Sequence, residues 1–432
     1  MIRSRIKSKS FKERHIRGAK QFTRNRKLPF VVVFLLIVQK SLKSLQLVLN
    51  EFFVKLDAYA SKATNSAFTQ ARQKLSFTAF IELTKEGIVN PYYENNDYRK
   101  FRHFRLIGLD GSKVILPDSE ELCQDFGFIN FTHGKDGNVI GKHPVGRASV
   151  LYDVLNNLPI DSILTTHHAY EVDLAVEQLK YTQENDLLLF DRGYTSYRFL
   201  ATLLQYGRHF LGRCSTGSFK AAQEMFKEGA PESRVVTLRP SYANYKEIQS
   251  LGLLMEIKVR FLRIVLDTGE VEVLVTSLLD EVEYPTEIFK DLYYLRWGIE
   301  TFYGTAKGRL NLENFSGKSV QAVQQDFHAT IFISALESVI TEDAQKQLDE
   351  KVIQKNSEHP QKVNKAVSFN AIKNHVIELF YKSNNPEVIL NRLTELFSTN
   401  PVCIRKGRKV DRKEISDRRR ANYHKRVKKI CY

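Results

Sequence analysis

Apolar spacing sets the first division of the chain. A continuous apolar run from Leu28 to Val38 is followed by Leu42, Leu45, Leu49, Phe52 and Leu56 at helical intervals. The run falls short of the roughly 20 residues that a membrane helix needs. A long charged stretch precedes it and no small-residue cleavage site follows, so it predicts a buried helix and not a secretion signal. Residues 30–56 and about 64–86 therefore read as two helices. The second carries Gln70, Arg72, Gln73 and Lys74 on a short amphipathic turn. A small helical module that reads DNA has this look, and so does a helical cap.

From Phe104 the period changes to that of strands. Leu106, Ile107, Gly108 and Leu109 run into Asp110, and Val114–Leu116 continue beyond Gly111. Val145–Leu155 and Ile160–Thr165 predict two more strands, joined by a turn at Asn156, Asn157 and Pro159. Glu171–Tyr181 reads as a helix, and Leu187–Phe190 as a short buried strand that ends at Asp191. Tyr197–Tyr206 predicts a helix and Phe210–Gly212 a strand. Residues 216–256 form an inserted element. Val259–Leu266 and Val271–Leu279 then flank Asp267-Thr268-Gly269-Glu270, a strong hairpin signal. Val320–Ile340 and segments near 366–382 and 385–397 close the pattern as helices.

One stretch, Tyr293–Lys307, combines an apolar stripe with a polar one. At roughly 100° per residue, Tyr293, Arg296, Glu300 and Lys307 fall within about a 60° arc of a single helix. Ile288, Leu292, Leu295, Ile299, Phe302 and Ala306 gather beside them. A carboxylate is thus presented among cations on a face next to the core. Without further context the same pattern fits a surface helix with an ordinary i,i+4 ion pair.

Charge adds context. The 432 residues carry a net +16, but residues 1–30 hold eleven Lys or Arg against Glu13, and residues 401–432 hold thirteen against three acids. The middle is left near −4. A neutral body with two cationic ends suits a polyanion held at its edges, of which nucleic acid is the commonest. Four cysteines, Cys123, Cys214, Cys403 and Cys431, lack metal-ligand spacing and fit a reducing cytosol.

Three acids emerge from separate elements: Asp110 within a strand, Asp191 at a strand end and Glu300 on the later helix. Carboxylates brought together stay ionised only with cations among them. Hard divalent ions with oxygen ligands, two Mg²⁺ or Mn²⁺ in its place, suit such a set. A pair of ions about 4 Å apart activates water or a 3′-hydroxyl and stabilises the leaving oxygen of a phosphodiester. Arg296, Lys307 and Arg192 would neutralise phosphates, and Tyr293 would hydrogen-bond one. Trp297 would stack on an unpaired base, although a core position is the plainer expectation for it. His143, His167 and His168 lack a ligand partner and read as surface or core residues. Asp118, Glu120 and Glu121, beyond Pro117, read as a solvated turn. No Gly-rich phosphate loop is present, so no nucleotide cofactor is indicated.

The spacing Tyr293-x₂-Arg296-x₃-Glu300-x₆-Lys307 resembles the Y-R-E-K signature of bacterial insertion-sequence transposases of the IS-four type. Leu109-Asp110-Gly111-Ser112 and Phe190-Asp191-Arg192-Gly193-Tyr194 are similar to the surroundings of that family's first two acids. The resemblance covers roughly 104–340. It implies an α/β fold, a ribonuclease-H-like mixed sheet with flanking helices and a β-rich insertion before the last acid. It also implies cut-and-paste movement of DNA by a homodimer that holds terminal inverted repeats and target DNA, in the cytoplasm at the nucleoid. The expected organisation is a basic arm and helical DNA-binding region over 1–100. A catalytic domain follows over 101–345, interrupted at about 215–258, and then a helical region with a basic tail over 346–432. A ribonuclease-H-like nuclease that cuts without joining, and a catalytically inactive DNA-binding descendant, are the alternatives.

Overall fold

Strands buried from both sides read as unbroken apolar runs, and two such runs form the middle of the sheet. The computed structural model describes residues 1–23, 27–56, 63–133, 138–356, 359–382 and 385–405. Its principal strands are β1 (Arg105–Ile115), β2 (Phe128–His133), β3 (Asn138–Asp153), β4 (Leu158–Thr166), β5 (Asp186–Phe190), β6 (His209–Arg213), β7 (Ser233–Leu238), β8 (Ile257–Val265) and β9 (Val271–Thr276). Every residue of β5 is buried, as are Arg105–Leu109 of β1.

These strands lie in the order β4-β3-β1-β5-β6-β9-β8-β7, with β2 paired to the first part of β3. β3 runs antiparallel to both β1 and β4, whereas β5 and β6 run parallel to β1. Three antiparallel strands followed by two parallel ones is the ribonuclease-H-like order expected from the sequence. The insertion supplies two short helices, Lys220–Met225 and Tyr245–Ser250, around the single strand β7. Most of its β character comes from the hairpin β8–β9 that follows. That hairpin turns at Gly269, whose φ of +84° favours glycine.

Helix Val320–Ile340 is buried along most of its length. It packs against β4 on one side and against helices Phe30–Val38, Thr78–Thr84 and Lys365–Ile377 on others. Encirclement of this kind explains an apolar pattern without a clear polar stripe. The Leu28–Val38 run is realised as the buried helix Phe30–Val38, and no helix among the described residues is long and apolar enough to cross a membrane.

Several expectations change. The two N-terminal helices are each broken, at 39–44 and at 73–77, and helix Glu342–Gln354 was not anticipated. Arg72 does not face outward as a DNA-reading residue. It is buried, donating through Nη2 to Asp326 Oδ1 at 2.8 Å, through Nε to Gln325 Oε1 at 2.9 Å and through Nη1 to Ser316 Oγ at 2.7 Å. It therefore bolts the N-terminal helices to Val320–Ile340, the cap reading of that turn. The basic arm, too, is partly folded, into helices Ile2–Lys7 and Lys9–His15. Arg14 forks onto Glu82 at 3.1 and 2.6 Å, which, with His15, holds the Glu82 carboxyl down at about 2. The basic run from 406 onward lies outside the described residues.

Candidate active site

Parallel register brings the first two acids level. Gly108 of β1 pairs with Leu189 of β5, so two residues further on the neighbouring chains present Asp110 and Asp191. Each aspartate is oriented by a backbone amide: Gly111 N–H donates to Asp110 Oδ1 at 2.9 Å, and Gly193 N–H to Asp191 Oδ1 at 2.8 Å.

Glu300 reaches the same place from a helix laid across β1. The expected single helix is two, Ile288–Tyr294 and Trp297–Gly308, with a tight turn at Leu295–Arg296. The second lies so close to β1 that a Cβ on Gly108 would stand 3.3 Å from Ile299 Cβ. A tyrosine fastens each helix to a strand. Tyr303 donates its hydroxyl to the Asp110 carbonyl at 3.1 Å, and Tyr293 donates to the Phe190 carbonyl at 3.3 Å, just before Asp191. Tyr293 is thus buried, with its hydroxyl already engaged, and its pKa is raised chiefly by burial.

Asp110 feels both of the other acids. Burial, and then the charge of Asp191, push the Asp110 carboxyl up to about 7, with Glu300 adding to the rise and Arg296 opposing it. Arg296 is the counter-cation: it is buried among these groups and its Nη2 donates to Glu300 Oε1 at 2.8 Å. Its Nε is buried without a partner. Among the described residues no three His, Cys, Asp or Glu side chains are drawn tightly enough together to hold a metal ion.

The remaining sequence candidates are distributed unevenly. Lys307 donates to the Lys113 carbonyl at 2.6 Å and lies 3.5 Å from Glu313 Oε1, so it braces helix Trp297–Gly308 against β1. Arg192 is exposed beside Asp191. Trp297 is not a core residue: it is 43% exposed, with the Arg296 guanidinium 5.1 Å from its ring centre. His167 engages the Phe126 carbonyl at 3.1 Å, and Glu121 accepts from Val320 N–H at 3.0 Å, at the start of the long helix. Glu121 is therefore a structural acceptor and not merely solvated.

Four residues that pack around β1 and the strand-end turn were missed. Tyr303 lies three positions after Glu300, a spacing that marks a neighbouring helical position. Tyr194 follows Asp191 by three. Glu171 and Arg147, paired on the face of β1 that Gly111 leaves open, carry no local signal, because their meeting depends on how β3, β4 and the following helix fold back.

The family model described as a transposase DDE domain matches residues 117–336. The chain belongs to this family. The match includes Asp191 and Glu300 and begins shortly after Asp110. A relative, the transposase InsG for insertion sequence element IS4 of Escherichia coli (strain K12), is 26% identical over 315 residues, 70% of this chain and 67% of that protein. The structure of a piggyBac transposase synaptic complex with hairpin DNA aligns over 92% of this chain and 84% of its own, with a TM-score of 0.44 and 7% identity. As a member of the DDE transposases the chain is an enzyme of DNA transposition, one that cuts DNA and transfers the strands.

Proposed function

We propose that this transposase excises and reinserts its DNA element by a cut-and-paste route, with Asp110, Asp191 and Glu300 holding two divalent ions, Mg²⁺ or Mn²⁺. The observation that carries the reading is the meeting of a mid-strand aspartate, a strand-end aspartate and a helix-borne glutamate: burial first, then the charges of Asp191 and Glu300, raise the Asp110 carboxyl to about 7. Like charges so gathered favour cations, and the donors are all carboxylate oxygens, the set that hard divalent ions prefer.

When bound, such ions supply Lewis-acid activation of water or a 3′-hydroxyl and stabilise the leaving oxygen. The chain's own residues do the positioning. Gly111 and Gly193 amides fix one oxygen of each aspartate, which orients the other. Glu300 must turn away from Arg296 to join them, and Arg296, freed, then faces the scissile phosphate as a planar donor. Arg192 lies at the mouth for a neighbouring phosphate, and exposed Trp297 offers a stacking face for an unpaired base. Tyr293 and Lys307 act from behind, one holding its helix to β5 and the other bracing Trp297–Gly308 on β1, and reach DNA only if those bonds are exchanged. Two ends of an element require two active sites, so a homodimer holding paired terminal repeats is the working assembly.

A cleavage and strand-transfer assay on end DNA tests this. Asp191→Asn and Glu300→Gln should bind DNA as the parent does and lose cleavage and joining. Cleavage retained by Asp191→Asn refutes the assignment, and cleavage by the parent without joined product would leave only a nuclease.

A further inference from the structure

The helix that carries Glu300 runs out into a loop shared by three parts of the molecule. Arg309 N–H donates to the Thr305 carbonyl at 2.7 Å and Leu312 N–H to the Ala306 carbonyl at 2.9 Å, with Asn311 between them in the left-handed conformation, φ +51°. Glu313 ties the loop to β1 by accepting from Ile115 N–H at 3.1 Å. On the other side a cavity of about 320 Å³ opens between residues 314–316 and the N-terminal helices, with Leu36, Leu45 and Phe68 in its wall. Packing therefore leaves space beside this part of the loop.

Lys40 crosses to it from the N-terminal side. The break at 39–44 turns this lysine inward, where it is 8% exposed, and its ammonium donates to the Asn311 and Leu312 carbonyls, both at 3.1 Å. The centre of the Phe315 ring lies 5.0 Å from the same nitrogen. Burial lowers the ammonium to about 8, with Asp326 and Glu313 opposing the fall and Lys373 and Arg72 adding to it, so it is mostly charged at neutral pH. Lys373 also holds the break in place, donating to the Lys40 carbonyl at 3.2 Å. A buried ammonium costs free energy that an apolar side chain would not. What it supplies here is donors for two carbonyls at the end of the Glu300 helix.

We propose that Lys40 is a positioning residue for DNA cleavage: by gripping the end of helix Trp297–Gly308 from the N-terminal helices, it sets how Glu300 stands relative to Asp110 and Asp191. Glu300 lies in the first turn of that helix and the grip lies just past its last. A rigid element of this length carries a shift at one end to the other. This rests on the proposed ion-binding role of the three acids. It makes the N-terminal helices part of the scaffold of the active site.

The test is single-turnover cleavage of end DNA by the full chain across a Mg²⁺ titration, with end-DNA affinity measured alongside. Asp191→Asn serves as the reference, and if it still cleaves, the acid assignment itself is wrong whatever Lys40 does. With that reference behaving, Lys40→Met, which keeps most of the side chain and removes the donors, should slow cleavage about tenfold at saturating Mg²⁺. It should also raise the half-saturating Mg²⁺ concentration severalfold and leave DNA affinity within twofold of the parent. Lys373→Met controls for stability, since it removes the ammonium that holds the Lys40 carbonyl and leaves the loop bonds in place; its rate and half-saturation should be those of the parent. A parent rate or a parent half-saturation in Lys40→Met, or an equal loss in Lys373→Met, overturns the proposal. Should Lys40→Met fail to fold, Asn311→Ala decides alone, because alanine resists the left-handed turn that presents the first carbonyl: cleavage at the parent rate and half-saturation rejects the assignment.

Discussion

Strands β1 and β5 set charged residues level at the start of their shared ladder and again just past its end, and the two places are built in opposite ways. At the start, Arg105 and Asp186 are register partners. Both are buried, and the guanidinium forks onto the carboxylate at 2.6 and 2.7 Å. Asp186 also accepts from Gln183 N–H, and the Arg105 guanidinium lies 4.3 Å from the centre of the Tyr93 ring. Two residues past the ladder, Asp110 and Asp191 come level, one oxygen of each held by a backbone amide, with Arg296 opposing the rise in the Asp110 pKa. A pair of opposite sign is closed upon itself. A pair of like sign is stable only in the company of something that binds it, which is why strained titrations gather where chemistry is done.

Two substitutions separate the ends most sharply. Asp191→Asn should cut single-turnover cleavage by at least about a thousandfold, equivalent to roughly 4 kcal/mol, while the urea midpoint moves little. Asp186→Asn should do the reverse. It strands a buried guanidinium, so stability should fall by about 3–5 kcal/mol, and activity should follow only the folded fraction. An Asp186→Asn chain as stable as the parent would mean that the closed end contributes nothing to the fold.

Acidity sharpens the contrast further. The Asp110 carboxyl titrates near 7 when folded, against 3.8 when free. The folded chain thus keeps a proton that the unfolded chain has released, and stability falls as pH rises from about 4 to 7, by roughly 1.4 kcal/mol per unit at most. Above 7 the penalty is constant. In ion-free buffer Asp110→Asn should therefore be more stable than the parent at pH 8 and nearly equal to it at pH 4, with added Mg²⁺ stabilising the parent alone. Urea midpoints that differ by the same amount at both pH values would show that Asp110 carries no such burden.

Much of this was legible in the chain because the relevant signals are local. Unbroken apolar runs give β1 and β5, and the acid that follows each run gives Asp110 and Asp191. Three- and four-residue spacing puts Arg296 beside Glu300. What stayed hidden depends on distant partners. Arg72 looks like a surface cation until Asp326, far along the sequence, is folded against it. Trp297 sits next to an apolar stripe, yet the turn at Leu295–Arg296 rotates it outward. Glu171 is silent in sequence because only the return of β4 and its following helix sets it against Gly111. Strand β2 was missed, as was its partner, the part of β3 before Val145.

The smallest effect tests how rigidly the open end is held. Tyr303 is buried, and its hydroxyl joins the helix of Glu300 to the carbonyl of Asp110 at 3.1 Å, with the Ala148 carbonyl 3.4 Å away. Phenylalanine fits the same space and deletes only that oxygen. Asp110 pairs with Val150 across the β1–β3 ladder, so its backbone is not left without structure, and the loss of stability should be about 1 kcal/mol. The geometric loss is more telling. Without the tether Glu300 is held to β1 by packing and by Lys307 further along the helix, and misplacement of a reacting group costs rate before it costs binding. Tyr303→Phe should therefore lower the single-turnover cleavage rate severalfold at saturating Mg²⁺ while leaving end-DNA affinity unchanged. A full rate in this variant would mean that contacts such as Ile299 on Gly108 suffice to set the distance between the two acids.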